Sequence, residues 1–306
     1  MKKIICLALL LVVILSGCQW KKQQVPQTPD VPKVQQKIEA EVSLRIETTN
    51  KLLYYMVKDM VKDKHNVEYM MVNETDQWKF DYTDDSLSNI SNKDLFIYLG
   101  GGFEPWIDGF VSKLKKGSLS IVNSSRGIKL ISSDVPKKYG DVTLNNNPYY
   151  WMDLSYYEIA LSNIKNAIQE KDPKNRSLYE ENFEAAIKKI DDIDKKFSDA
   201  IADYKNFTFI TVDDSLDYFL KYEGIKALKL SIENIDDVRK DLDKKKSNET
   251  KFVLFCDDNV NIEGYNSIIQ TYSIKTIKMK KYDITKDYIS MLKDNFDSMS
   301  ILDSML

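Results

Sequence analysis

The sequence predicts an α/β protein of two lobes, each a mainly parallel four-stranded sheet flanked by helices, joined by one long backbone helix. Two observations carry that expectation. Short strand-like runs alternate with helical stretches in two sets of similar length, the pattern that generates parallel sheets covered by helices. Between the sets, residues 177–204 contain no Pro or Gly, and Phe183, Ile187, Ile190, Phe197, Ile201 and Tyr204 fall on one helical stripe interrupted only by Asp194.

The chain begins with Met1-Lys2-Lys3, an apolar run from Ile4 to Leu15, and Leu15-Ser16-Gly17-Cys18. Two lysines, about a dozen apolar residues and small residues before a cleavage point make a secretory signal. The run is shorter than the roughly 20 apolar residues that span a bilayer. Its Leu-Ser-Gly-Cys ending resembles a lipobox, which implies that residues 1–17 are removed and that Cys18 becomes a diacylated N-terminus. The expected location is therefore extracytoplasmic, lipid-anchored to the cell membrane. Residues 18–40 carry Pro26, Pro29 and Pro32 without apolar periodicity and read as a flexible tether, extended by roughly 3 Å per residue at most.

The N-terminal α/β lobe is expected over residues 41–150. Its strands fall at 45–49, 67–72, 94–99 and 119–123, with helices at about 50–62, 84–91 and 104–116. Residues 151–205 form connecting helices that include the backbone helix. Ser177-Leu178-Tyr179-Glu180 has the spacing of a capping box, with Pro173 just before it. A helix of 28 residues at 1.5 Å each makes a rod of about 42 Å. The C-terminal α/β lobe, 206–306, has strands at 207–212, 227–231, 251–255 and 275–279. Its helices lie at about 215–223, 235–246, 262–272 and 285–302.

Composition bounds the function. Loss of Lys2 and Lys3 takes the formal charge from −3 to about −5, with acids and bases interleaved, which gives no support to nucleic-acid binding. Of Cys6, Cys18 and Cys256, the first is cleaved and the second lipidated, so no intramolecular disulfide is expected and stability must come from the core. The single histidine, His65, lies in Lys-Asp-Lys-His-Asn and reads as a surface turn. No Ser-His-Asp constellation can be assembled, and no enzyme is expected. Gly100-Gly101-Gly102 lacks the Lys-Ser/Thr of a phosphate loop and reads as a tight strand-to-helix turn.

Four motifs occur in an informative order. They are Gly102-Phe103-Glu104-Pro105-Trp106, then Asn147-Pro148-Tyr149-Tyr150-Trp151-Met152-Asp153, then Lys171-Asp172-Pro173-Lys174-Asn175 with Tyr179 and Asn182, then Asp213-Asp214 with Asp217-Tyr218-Phe219. Together with the lipobox, two lobes and a long helix, they resemble the solute-binding lipoproteins of zinc and manganese ABC importers from residue 43 onward. The resemblance implies a non-enzymatic, monomeric receptor that hands its ligand to an ABC permease and its ATPase, without a resident cofactor. It also implies small lobe motion. Family members bind metal between the lobes with three histidines and one carboxylate, a set suited to zinc and manganese.

Here those positions fall on Trp78, Tyr149, Asp213 and Asp257, a one-residue shift placing Cys256 at the last, with Asp81, Tyr150 and Cys256 as further cleft-lining candidates. Indole cannot ligate a cation, and a phenol must first lose a proton of pKa near 10. One histidine cannot supply three ligands, so the three-histidine site is absent. Three readings stand at this point. A divalent metal is held as transported ligand by oxygen from Asp213, Asp257 and Tyr149 or Asp81, a shell favouring a harder cation than zinc. Alternatively, a small organic or cationic ligand enters a cleft walled by Trp78, Tyr149 and Tyr150. In the third, the protein acts through surface contacts as an adhesin or accessory lipoprotein. Structural roles compete at each residue: aromatic rings fill space, paired acids cap helices, and Cys256 serves as a small buried hydrophobe.

Overall fold

The computed structural model describes residues 41–115 and 117–306. The signal, the Cys18 lipidation site and the tether lie outside the described residues.

The first sheet contains β1 (Arg45–Asn50), β2 (Asn66–Met71), β3 (Leu95–Tyr98) and β4 (Ser120–Asn123), ordered β2-β1-β3-β4 with every pair parallel. Central β1 is buried on both faces after Arg45, as a strand covered by helices must be. Asn50 ends it and starts α1 (Lys51–Val61) by accepting the Leu53 N–H on its side chain. Leu52, Leu53, Met56, Val57, Met60 and Val61 then give α1 its buried face. Two short helices, α2 (Glu74–Gln77) and α3 (Asp84–Ser91), follow β2, and α4 (Ile107–Lys113) follows β3.

An antiparallel element not expected from the sequence follows the first sheet. Strands β5 (Ser132–Tyr139) and β6 (Val142–Asn146) form an antiparallel hairpin with an irregular register. Helices α5 (Leu154–Lys171) and α6 (Arg176–Asp203) lead to the second sheet. That sheet holds β7 (Phe207–Thr211), β8 (Ala227–Lys229), β9 (Lys251–Asp257) and β10 (Lys275–Met279), ordered β10-β9-β7-β8 and again all parallel. Its helices are α7 (Asp217–Tyr222), α8 (Ile235–Lys245), α9 (Asn266–Thr271) and α10 (Tyr288–Met299).

The 28 residues of α6 pack against α1, α5 and α10, so one rod touches helices of both lobes. Tyr179, Ala186, Ile190, Ile193 and Phe197 are its buried face. The expected capping box at its start does not form. A 3-10 turn at Pro173–Asn175 runs straight into α6, and Asn175 makes no side-chain cap. Glu180 instead accepts from Lys165 Nζ at 2.7 Å and from Gln169, tying α6 to α5.

The expectation for His65 also needs correction. The residue is only 5 % exposed. Its Nδ1 accepts the Leu44 N–H at 3.3 Å, and its Nε2 lies 2.7 Å from the Tyr179 hydroxyl, which donates to Asp172 at 2.5 Å. An acceptor Nδ1 assigns the proton to Nε2, so a chain of donors runs from His65 through Tyr179 to Asp172. The charged neighbours of His65 in sequence concealed this, because the ring turns inward toward α6 while Lys62 and Asp63 are exposed.

Candidate functional site

Parallel sheets leave their backbone groups and loops free at the carboxyl ends of the strands, where α/β proteins gather ligand-binding side chains. Here the segment after β2 carries Glu74 and Trp78, Asp257 ends β9, and Lys280 and Lys281 follow β10. Tyr149 arrives on the segment joining the hairpin to α5. All but Asp257 line a cavity of about 740 Å³ between the lobes, together with Lys137, Asp258 and Asp283.

The aromatic motif residues hold this place together. In the first motif, the buried Glu104 carboxylate accepts from the Leu99 and Gly100 backbone N–H groups at 2.8 and 2.9 Å and from the Thr49 hydroxyl. Burial raises its carboxyl to about 7 against those hydrogen bonds. Gly100 has φ +72°, and a Cβ there would collide with the Asn123 and Ser125 side chains. Trp106 Nε1 donates to Gln77 Oε1 at 3.3 Å, fixing the helix that presents Glu74 and Trp78.

In the second motif, Asn147 Oδ1 accepts the Tyr149 N–H at 3.0 Å while its amide donates to the Asp214 carbonyl at 2.6 Å. Trp151 Nε1 donates to the Lys281 carbonyl at 2.7 Å, and Tyr288 Oη donates to the Trp151 carbonyl. Tyr282 Oη reaches back to the Val72 carbonyl at 3.1 Å. The loop after β10 is thus pinned to both lobes.

At the centre, Tyr149 Oη donates to Glu74 Oε1 at 2.5 Å and accepts from Lys137 Nζ at 3.2 Å. Burial first, then the Glu74 carboxylate, hold its phenol far above the ordinary range, so it stays protonated. Lys281 Nζ lies 4.4 Å from the Tyr149 ring centroid, 3.6 Å from Glu74 Oε2 and 3.9 Å from Asp257 Oδ2. Lys137 Nζ stands 5.7 Å from the Trp78 ring. Deeper in the cavity wall, burial and Asp257 raise the Asp258 carboxyl. At Asp283, burial pushes the carboxyl up too, but hydrogen bonds and charge from Lys280 and Thr285 win and hold it at about 2.

Trp78, Tyr149 and Asp257 therefore meet at one locus, the first two lining the cavity and Asp257 reaching it through Lys281. Other expected site residues lie elsewhere. Asp213 turns its carboxylate onto the Ser215 N–H at 2.9 Å, an Asx turn at the start of the α7 segment. Tyr150 is fully buried, with its hydroxyl on Ser124 Oγ and the Leu99 carbonyl, so it belongs to the core rather than to a cleft wall. Asp81 is exposed and lines a separate cavity of about 910 Å³ beside the glycine turn. Cys256 is a free, fully buried thiol within β9, and burial pushes it up to about 11.

Glu74, Lys137 and Lys281 were missed by sequence reasoning. The first lies in a polar run without periodicity, and both lysines are two among many. Among the described residues, no three His, Cys, Asp or Glu side chains gather closely enough to hold a metal ion. Glu74 Oε2 and Asp257 Oδ2 stand 3.6 and 3.9 Å from the Lys281 ammonium, which both carboxylates face.

The family model described as zinc-uptake complex component A, periplasmic (ZnuA) matches residues 46–301. The chain belongs to this family. Among curated relatives, it is 25% identical over 194 residues to the high-affinity zinc uptake system protein ZnuA of Bacillus subtilis (strain 168), covering 61% of each chain. It is 27% identical over 192 residues to the iron ABC transporter substrate-binding lipoprotein MtsA of Streptococcus pyogenes serotype M1, covering 60% of each. The chain thus spans about 60% of the length of the curated relatives it matches. Among solved structures, the metal-dependent lipoprotein YcdH from Bacillus subtilis superposes with TM-score 0.66 at 21% identity, over 85% of this chain and 98% of that one. The laminin-binding adhesin Lmb from Streptococcus agalactiae gives the same TM-score at 18% identity, over 86% and 100%. At these identities the structural likeness shows the ZnuA-type fold of two parallel sheets and a long helix.

Proposed function

We propose that this ZnuA-family chain is the extracytoplasmic substrate-binding lipoprotein of an ABC importer of the metal-uptake class. Held to the membrane through Cys18, it captures a solute between its lobes and presents it to a permease with its ATPase. The observation that carries this reading is the convergence of three distant segments, around Trp78, Tyr149 and Asp257, on one interlobe locus at the carboxyl ends of both sheets. The relatives named as zinc, iron and manganese importers' binding proteins support the class.

The cargo is a divalent cation taken by oxygen from Glu74 and Asp257, not zinc in a tetrahedral imidazole shell. With a protonated Tyr149 and no histidine at the locus, softer nitrogen chemistry is missing. Lys137 and Lys281 on either side of the Tyr149 phenol favour a second reading, a small organic ligand bearing a carboxylate. Thermal unfolding with manganese, iron, zinc, calcium and magnesium tests the first. A cation at 100 times its dissociation constant adds about 2.7 kcal/mol, and that shift should vanish in Asp257→Asn. A shift that survives in Asp257→Asn, or no shift with any cation, would overturn it.

A further inference from the structure

We infer that the Lys281 ammonium is the resident cation of the interlobe cleft: it occupies the place of a solute cation, and any such cation binds only by displacing it. The inference rests on the interlobe cleft being the capture site.

Three features separate Lys281 from an ordinary surface lysine. Its ammonium contacts both lobes at once, with Glu74 after β2 on one side and Asp257 at the end of β9 on the other. The third side is the face of Tyr149, at 4.4 Å, where a ring attracts cations. Its backbone is fixed as firmly as its tip. The carbonyl accepts the Trp151 indole N–H at 2.7 Å, and the Lys281 N–H donates to Asp257 Oδ2 at 3.3 Å. The side chain is 14% exposed, and the Asp257 carboxylate it faces is 1% exposed. That carboxylate also accepts the Asn259 N–H at 3.0 Å, and the cation that faces its charge is covalently attached to the chain.

Neighbouring lysines do not share this position. Lys137 touches the Tyr149 hydroxyl and the two rings from the hairpin side. Lys280 pairs with Asp283 at 2.7 Å, three residues on. Among the described residues, Lys281 alone bridges carboxylates of the two lobes at this locus. The consequence is competition. A divalent ion reaching Glu74 and Asp257 must expel an ammonium held by the same oxygens, which lowers its apparent affinity and keeps the lobes joined when no solute is present.

Manganese titration by calorimetry tests this on the purified chain and on Lys281→Met, Lys281→Arg and Lys137→Met. Removing the competing unit charge should tighten manganese binding by roughly tenfold or more in Lys281→Met. Lys281→Arg should bind no tighter than the parent, and Lys137→Met should gain far less. Equal affinity in Lys281→Met and parent, or an equal gain in Lys137→Met, would overturn the inference. If Lys281→Met fails to fold, nitrogen-detected lysine resonances of the parent decide. One ammonium signal should be protected from exchange without metal and lose protection as magnesium, a diamagnetic divalent ion, saturates; no protected signal would also overturn it. Should the parent bind no divalent ion while Lys281→Met does, the resident-cation inference holds and the cation-cargo reading fails.

Discussion

Replacing Glu223 by Gln should remove a pH dependence built into the junction of α6 and α7. Glu223 directly follows α7, where burial, and then the Asp194 carboxylate on α6, raise its carboxyl from an ordinary 4.5 to about 8. Glu223 Oε1 and Asp194 Oδ1 are both buried without a hydrogen-bond partner, which is why the neutral acid is preferred. Between these two pKa values the folded chain keeps a proton that the unfolded chain has released. Stability therefore declines as pH rises from about 4.5 to 8 and levels off above that. At about 1.36 kcal/mol per pKa unit the limit is near 5 kcal/mol, and partial solvent access to the carboxyl reduces it to roughly 2–4 kcal/mol. Urea unfolding at half-unit steps from pH 5 to 9 measures it. The parent should lose about 2–4 kcal/mol more than Glu223→Gln across that range, while the raised Glu104, common to both, cancels in the difference. Parallel curves for the two proteins would refute the reasoning.

Three further substitutions probe the supports of the cleft. Trp151→Phe leaves the Lys281 carbonyl without its indole donor and opens a void against Phe103 and Tyr149, costing roughly 2–4 kcal/mol in denaturant titrations; a loss below about 0.5 kcal/mol would mean the loop is held by other contacts. Gly100→Ala forces a Cβ into Asn123 at φ +72° and should lower stability by about 2 kcal/mol or more, seen as a drop in melting temperature. An unchanged melting point would contradict the close approach. Tyr179→Phe removes the hydroxyl that joins His65 to Asp172, leaving only their direct 3.5 Å approach, and should cost roughly 1–3 kcal/mol, with faster amide exchange at Leu44; unaltered exchange would show that the network does not anchor the first strand.

Fold was more legible in the sequence than site, for reasons visible in particular residues. Period-two and period-3.6 patterns report burial. Runs such as Leu95–Tyr98 and Lys275–Met279, and the stripe from Phe183 to Phe197, therefore appear where the sequence puts them. The hairpin at Ser132–Asn146 escaped because none of its strand residues is fully buried and Val135 and Val142 are exposed, so no apolar face marks it in the sequence. Its role is lateral. Ser133 and Asp134 hydrogen-bond or ion-pair with Asp214 and Lys229 of the second lobe. Motif spacing led to Trp78, Tyr149 and Asp257, but it carries no information on side-chain direction. Tyr150 turns into the core one residue from Tyr149, and Asp213 spends its carboxylate on a local turn. Lys281 illustrates the remaining gap. A lysine beside another lysine has no signature in one sequence, and only the fold brings it between Glu74 and Asp257.

The central claim is that the cleft at Glu74, Tyr149 and Asp257 captures a cation for import. Elemental analysis of cells lacking this chain, and of the same cells supplied with the parent or with Asp257→Asn, tests it most directly. The account predicts that one divalent metal falls in the deletion, returns with the parent and stays low with Asp257→Asn. Unchanged metal content in the deletion, or full restoration by Asp257→Asn, would contradict it.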